Sequence, residues 1–215
     1  MRVICAAALL TLATAAPAAD PPAARFTKDS LGRLPPGWQA AKTGTGEGSA
    51  WKVVADDTAP SGSGYVLAQT AAGPNALFNL CVAEDTRFRD VELSVAFKAV
   101  AGELDRGGGL VWRYQDADNY YVARFNPLED NYRLYHVVAG KRTQIATKEG
   151  VKVPTGTWHA LKVKHVGDRI ECFLDGRKEL DTTDKTITQA GKVGLWTKAD
   201  AQTYFDDFRV KEPAK

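Results

Sequence analysis

Residues 109–146 read GLVWRYQDADNYYVARFNPLEDNYRLYHVVAGKRTQIA. Side chains of contrasting character alternate through 109–114, 120–126 and 132–138, the period of strands whose two faces differ. Between them lie 115–119 and 127–131, short segments rich in Asn, Asp and Pro, and then a hairpin at Ala139-Gly140-Lys141-Arg142 that leads into a further strand at 143–146. Strands joined by links this short pair antiparallel, so the stretch predicts a meander.

The same grammar runs outward in both directions. Downstream come 158–166, a Gly167-Asp168 turn, 169–174, an Asp175-Gly176 turn, and two closing strands at 191–197 and 203–210. Upstream are 51–54, 65–68, 76–82 and 91–97, the last with every odd position apolar, while 43–49 is a Gly-rich loop. No long segment carries a helical period and no repeat recurs at a fixed spacing. The chain is all-β, with about a dozen strands, and an antiparallel array of that size folds into two packed sheets.

The 215 residues carry 28 Lys+Arg against 26 Asp+Glu, a formal net charge of +2. No run of like charge stands out, which argues against a nucleic-acid or membrane-surface partner. At the start, Met1-Arg2 precedes an apolar stretch over 3–16 and the small residues Ala16-Pro17-Ala18, the pattern of a cleaved signal peptide. The stretch is shorter than the roughly 20 residues of a membrane span. The expected organisation is a signal peptide at 1–19, a linker at 20–25 and one domain at 26–215, exported to the periplasm or secreted, and not an integral membrane protein. Cys81 and Cys172 then lie in an oxidising compartment that permits a disulfide; the alternative is two free buried thiols.

The segments Trp158-His159-Ala160-Leu161-Lys162-Val163 and Arg169-Ile170-Glu171-Cys172-Phe173-Leu174-Asp175-Gly176 resemble a hairpin of concanavalin A-like, laminin-G-like jelly rolls. More narrowly, Gly109-Leu110-Val111-Trp112-Arg113-Tyr114, Asn119-Tyr120-Tyr121 and Trp196-Thr197-Lys198-Ala199-Asp200 resemble bacterial exported 3-keto-disaccharide hydrolase, or family-16-glycosidase-like, domains. The resemblance implies a two-sheet antiparallel jelly-roll sandwich and a carbohydrate-directed role: binding a saccharide on the concave sheet face, or hydrolysing or eliminating a 3-keto-disaccharide or related glycoside. One sandwich hosts lectins, hydrolases and adhesion modules alike, so a structural module with a protein partner is the third reading.

Family-16 glycosidases set three carboxylates as Glu-x-Asp-x-x-Glu along one strand. The nearest match, Glu103-Leu104-Asp105-Arg106-Gly107-Gly108, lacks the last Glu. Asp105, Glu129 and Asp200 remain as candidate acids or bases. Strand parity sets Arg113, Tyr120, Arg124 and Asn126 opposite the core-like Trp112, Tyr121, Ala123 and Phe125; Arg133 shares a face with Tyr135, and Trp196 with Lys198. Arginine forks and amides bind sugar hydroxyls and carboxylates, and aromatic rings cover a pyranose face. These eight residues are therefore the expected ligand face, their arginines having no evident acids beside them. Asp206 and Asp207 fall within a strand and need partners. Laminin-G-like sandwiches sometimes hold calcium, the one cofactor this raises. His136, His159 and His165 form no zinc-ligand pattern.

Overall fold

The computed structural model describes residues 24–213. The expected signal peptide and most of the linker lie outside the described residues. Fourteen strands are present in chain order: β1 (Trp38–Thr43), β2 (Trp51–Ala55), β3 (Tyr65–Gln69), β4 (Phe78–Phe88), β5 (Val91–Ala101), β6 (Gly108–Asp116), β7 (Asn119–Asn126), β8 (Asn131–Val138), β9 (Lys141–Glu149), β10 (Trp158–Val166), β11 (Arg169–Leu174), β12 (Arg177–Thr183), β13 (Gly191–Lys198) and β14 (Gln202–Lys211). They form two seven-stranded sheets, ordered β1-β4-β13-β6-β7-β8-β9 and β12-β11-β10-β5-β14-β3-β2, with every pairing between these strands antiparallel. This is the jelly-roll sandwich.

Two of these strands go beyond the dozen that the sequence suggests. Both β1 and β12 are outermost in their sheets and read WQAAKT and RKELDTT, without a clean apolar alternation. Edge strands face solvent along one side and are commonly charged, which removes the pattern a buried strand shows. Where one face meets the core the pattern is plain: along β5, Val91, Leu93, Val95, Phe97 and Ala99 are buried. Tight turns hold the register. Asp175 and Gly176 both have positive φ between β11 and β12, as do Ala139 and Gly140 between β8 and β9, the backbone of a primed hairpin turn.

The core between the sheets joins Cys81, Leu110, Trp112, Tyr121, Ala123, Phe125 and Leu134 of the first sheet to Leu93, Phe97, Leu161, Val163, Cys172 and Phe205 of the second. Cys81 and Cys172 face this core as free thiols and are not bridged. Burial pushes both thiols up, so they act as small hydrophobes.

A second buried cluster lies on the other side of the first sheet: Phe78, Leu80, Val82, Val111, Tyr120, Val122, Tyr135, Val137 and Trp196. The middle strands of that sheet are consequently buried on both faces, and β7 is buried at every position after Asn119. An antiparallel sheet commonly wets one face; this one does not in its centre.

Candidate functional site

Register assembles the outer face of the first sheet. One row runs Leu80, Trp196, Gly109, Arg124, Arg133 and Thr147 across neighbouring strands. Glycine at 109 lets the strands approach: a Cβ there would meet Ala123 O at 2.5 Å and Arg124 Cβ at 3.0 Å. Beside this row stand Tyr135, Lys198 and Asn126, and Arg142 reaches in from β9. Asp105 comes from the loop between β5 and β6, and Glu129 from the loop between β7 and β8.

Arg124 is 1% exposed. Its Nη1 donates to Asn131 Oδ1 at 3.0 Å, and its Nη2 to Glu129 Oε2 at 2.8 Å. The same Glu129 oxygen accepts from Asn131 Nδ2 at 3.1 Å and Arg133 Nη1 at 3.3 Å. Partial burial alone would raise the Glu129 carboxyl, but the hydrogen bond and charge of Arg124, with Asn131 and Arg133, hold it at about 2. Arg133 also donates to Glu149 at 3.2 Å. The arginines thus have acids after all, supplied by a turn and by an edge strand.

Asp105 differs. It is wholly buried, neither carboxylate oxygen accepts a hydrogen bond, and the nearest cation is Lys198 Nζ at 3.8 Å from Oδ2. Burial raises its carboxyl, against the pull of Arg124, Lys198 and Arg142 and with the push of Glu129. Lys198 also donates to Asn75 Oδ1 at 2.5 Å. Asn126 is wholly buried; its Oδ1 accepts from Leu128 N–H at 2.9 Å, while its Nδ2 has no acceptor.

Arg142 was not among the residues the sequence singled out. Its guanidinium carbon lies 4.4 Å from the Tyr135 ring centroid, 4.8 Å from Phe78 and 5.8 Å from Trp196. Only register reveals this, because Arg142 looks like a hairpin residue in the sequence. The aromatic walls are therefore present but occupied. Trp196 is fully buried and Tyr135 is 4% exposed, so the Arg142 cation, and not open solvent, covers these two rings; Tyr120 is fully buried beside Tyr114. The Tyr120 hydroxyl hydrogen-bonds Thr43 Oγ1 at 2.7 Å.

Arg113 is a correction. The β6–β7 register shifts after Trp112, and Arg113 has φ +46, a bulge that breaks strand parity. Its guanidinium turns towards the core side, 6.0 Å from the Tyr121 ring, and donates to the carbonyls of Arg89 (2.8 Å), Ile187 (2.7 Å) and Gly167 (2.9 Å). It braces one end of the sandwich and does not share a face with Arg124. Asp200 also has a structural post: its carboxylate caps the backbone N–H groups of Glu103, Leu104 and Asp105 at 2.7–3.1 Å. It thereby holds the loop that presents Asp105. Asp206 and Asp207 do not act together: Asp206 Oδ2 accepts from Ser61 N–H at 2.8 Å, whereas Asp207 pairs with Arg209 at 3.5 Å. Among the described residues no group of three or more His, Cys, Asp or Glu is placed to hold a metal, so the expected calcium pair finds no ligand set.

Buried polar atoms without a partner concentrate on this face. They are Asp105 Oδ1 and Oδ2, Asn79 Oδ1, Arg124 Nε, Asn126 Nδ2, Arg133 Nε, Arg142 Nη1 and Trp196 Nε1. Each such group costs about 1–3 kcal/mol unless something answers it. An open cleft of about 550 Å³ lies elsewhere, lined by Lys148, Val151, Lys152, Leu174, Asp175 and Arg177. None of its lining residues carries a buried unpartnered polar atom.

Fold and face together define a jelly-roll protein with a polar, cationic and aromatic outer sheet. Residues 32–211 match the model of the 3-keto-alpha-glucoside-1,2-lyase-like domain family, and the chain belongs to that family. Among solved structures it is similar to the carbohydrate-binding module CBM66 from Bacillus subtilis, with a TM-score of 0.66, 18% identity, and coverage of 88% of this chain and 100% of that one. The carbohydrate recognition domain of Emp47p follows at a TM-score of 0.59, 12% identity and coverage of 89% and 95%. A protein of unknown function with a galectin-like fold from Bacillus subtilis has a TM-score of 0.57, 12% identity and coverage of 81% and 89%. At these identities the likeness is one of fold. No curated protein sequence matches the chain.

Proposed function

We propose that this is an exported protein that binds a saccharide on the outer face of the first sheet, at Asp105, Arg124, Asn126, Arg142 and Lys198. The observation that carries the reading is the concentration of unpartnered buried donors and acceptors on that one face. A sugar presents hydroxyls that both donate and accept, so it answers amide, guanidinium and carboxylate groups together. Family membership and the saccharide-binding fold neighbours support the reading. A module built to hold a protein partner would expose a contiguous apolar patch. Among the described residues the large exposed apolar side chains are Leu31, Val100, Leu104, Leu128, Val138 and Val166, which form no run in the sequence.

A second reading is favoured by Asp105 in particular. A buried carboxyl with a raised pKa and free oxygens is suited to proton transfer. On a 3-keto-glucoside, its carboxylate would take the proton from C2, which the C3 ketone acidifies. The electron pair then forms the C1–C2 double bond as the C1–O bond breaks, and the departing oxygen recovers the proton from Asp105. Arg124 and Arg142 would stabilise the charge that gathers on the C3 oxygen.

Both readings are tested by incubating the protein and its Asp105→Asn form with simple glycosides and 3-keto-glucosides, following binding and release of the departing group. Binding without release supports the first reading, and release that Asp105→Asn abolishes supports the second. No binding of any saccharide would end both. Export is checked by intact mass of protein from the native type of host, expected to begin near Ala19 or Asp20; retention of 1–18 would contradict it.

A further inference from the structure

The outer face holds more positive than negative charge, and the surplus sits where the protein does not answer it. Four cations, Arg124, Arg133, Arg142 and Lys198, stand against three carboxylates, Asp105, Glu129 and Glu149, the last paired with Arg133 at the sheet's edge. Glu129 is spent on Arg124, Arg133 and Asn131. Asp105 has Lys198 at 3.8 Å and a hydrogen bond to nothing. Arg142 pairs with no carboxylate among the described residues. Packed against Tyr135, Phe78 and Trp196, it is fixed in direction, and its buried Nη1 has no acceptor. Ring contact satisfies the guanidinium's face and leaves its in-plane N–H donors to be filled.

The unpartnered atoms are also unbalanced in kind. Donors are Arg124 Nε, Asn126 Nδ2, Arg133 Nε, Arg142 Nη1 and Trp196 Nε1, whereas acceptors come only from Asp105 and Asn79. A neutral pyranose brings both kinds in similar number and leaves the charge surplus in place. A ligand carboxylate brings acceptors only and one negative charge, and an arginine fork is the group that matches it.

Resting on the saccharide-binding reading, we propose that the preferred ligand is an acidic saccharide, with a uronate-type carboxylate received by Arg142 beside Arg124 and Lys198. Asp105 then accepts from hydroxyls of the same sugar. The positive surplus also draws such a ligand in, more strongly at low ionic strength.

The test is calorimetric titration of the full chain with matched pairs: methyl α-glucoside against methyl α-glucuronide, and cellobiose against its uronic-acid counterpart. The uronate of at least one pair should bind tenfold or more tightly than its neutral partner at low salt, and the ratio should shrink as salt rises. Arg142→Gln should bring the ratio close to one. Arg142→Lys keeps the charge and should retain part of the preference, which serves if the glutamine form fails to fold. Equal or tighter binding of the neutral partners, or a preference indifferent to both salt and Arg142, would overturn the inference while leaving the saccharide reading intact. Binding of neither member of any pair, while a 3-keto-glucoside still binds, would overturn the inference alone; binding of none of these saccharides would overturn both.

Discussion

At the scale of single residues, Asp105 carries an arrangement that stability alone would not select. Its carboxylate is wholly buried and accepts no hydrogen bond, and burial outweighs the cations around it. A folded-state pKa above the ordinary carboxylate value means that the folded protein holds the proton more tightly than the unfolded chain. The stabilising term is therefore present at low pH and lost as pH rises through the folded value. Asp105→Asn should leave thermal stability at pH 7 unchanged or raise it, by about 1 kcal/mol, while saccharide binding is lost. A clear fall in melting temperature would instead make Asp105 a structural residue. His165 titrates in the other sense. Burial, with Arg113 nearby, lowers it to about 3, and its Nδ1 accepts from Trp112 Nε1 at 2.8 Å. The unfolded chain takes up this proton first, so stability should fall as pH drops from about 6.5 towards 3, by up to about 1.4 kcal/mol per unit. Urea midpoints measured from pH 7 to 5 should show that slope, and His165→Gln should remove it.

At the scale of elements, the glycines and bulges decide which side chains meet. Gly109→Ala would drive a methyl against Ala123 O and Arg124 Cβ, costing about 1–3 kcal/mol and loosening Arg124 from Glu129; equilibrium unfolding checks it. Unchanged stability would mean that β6 and β7 part at no cost. Parity along β7 was legible in the sequence: Tyr121, Ala123 and Phe125 face the core while Arg124 and Asn126 face out, because one uninterrupted strand keeps its period. Parity misplaced Arg113, because a bulge leaves no mark in a single sequence. Glu129 was named in the sequence as a candidate acid, but its pairing with Arg124 and Arg133, and the part of Glu149, stayed unread for another reason. Glu129 lies in a turn and Glu149 at the end of an edge strand, so neither falls in the alternation that exposes a face. Arg142 follows a tight turn, and only the β8–β9 register brings it over Tyr135.

At the scale of the whole molecule, strand content and turn chemistry made the two-sheet sandwich readable, and the charged edge strands were what stayed hidden. The two cysteines face one core from opposite sheets as free thiols. Thiol titration should find both unreactive in the folded protein and both free after denaturation without reductant; a missing pair would mean a bridge. The central claim is that the outer face of the first sheet, and not the second sheet or the open cleft near Lys152, receives the saccharide. The most direct measurement is an amide and indole chemical-shift titration of isotope-labelled protein with an acidic saccharide. The predicted result is movement of the Trp196 indole N–H and of amides along β7, β8 and β13, with the Trp158 indole on the second sheet unmoved. Shifts confined to the second sheet or to the cleft, or no shift at millimolar saccharide, would contradict the account.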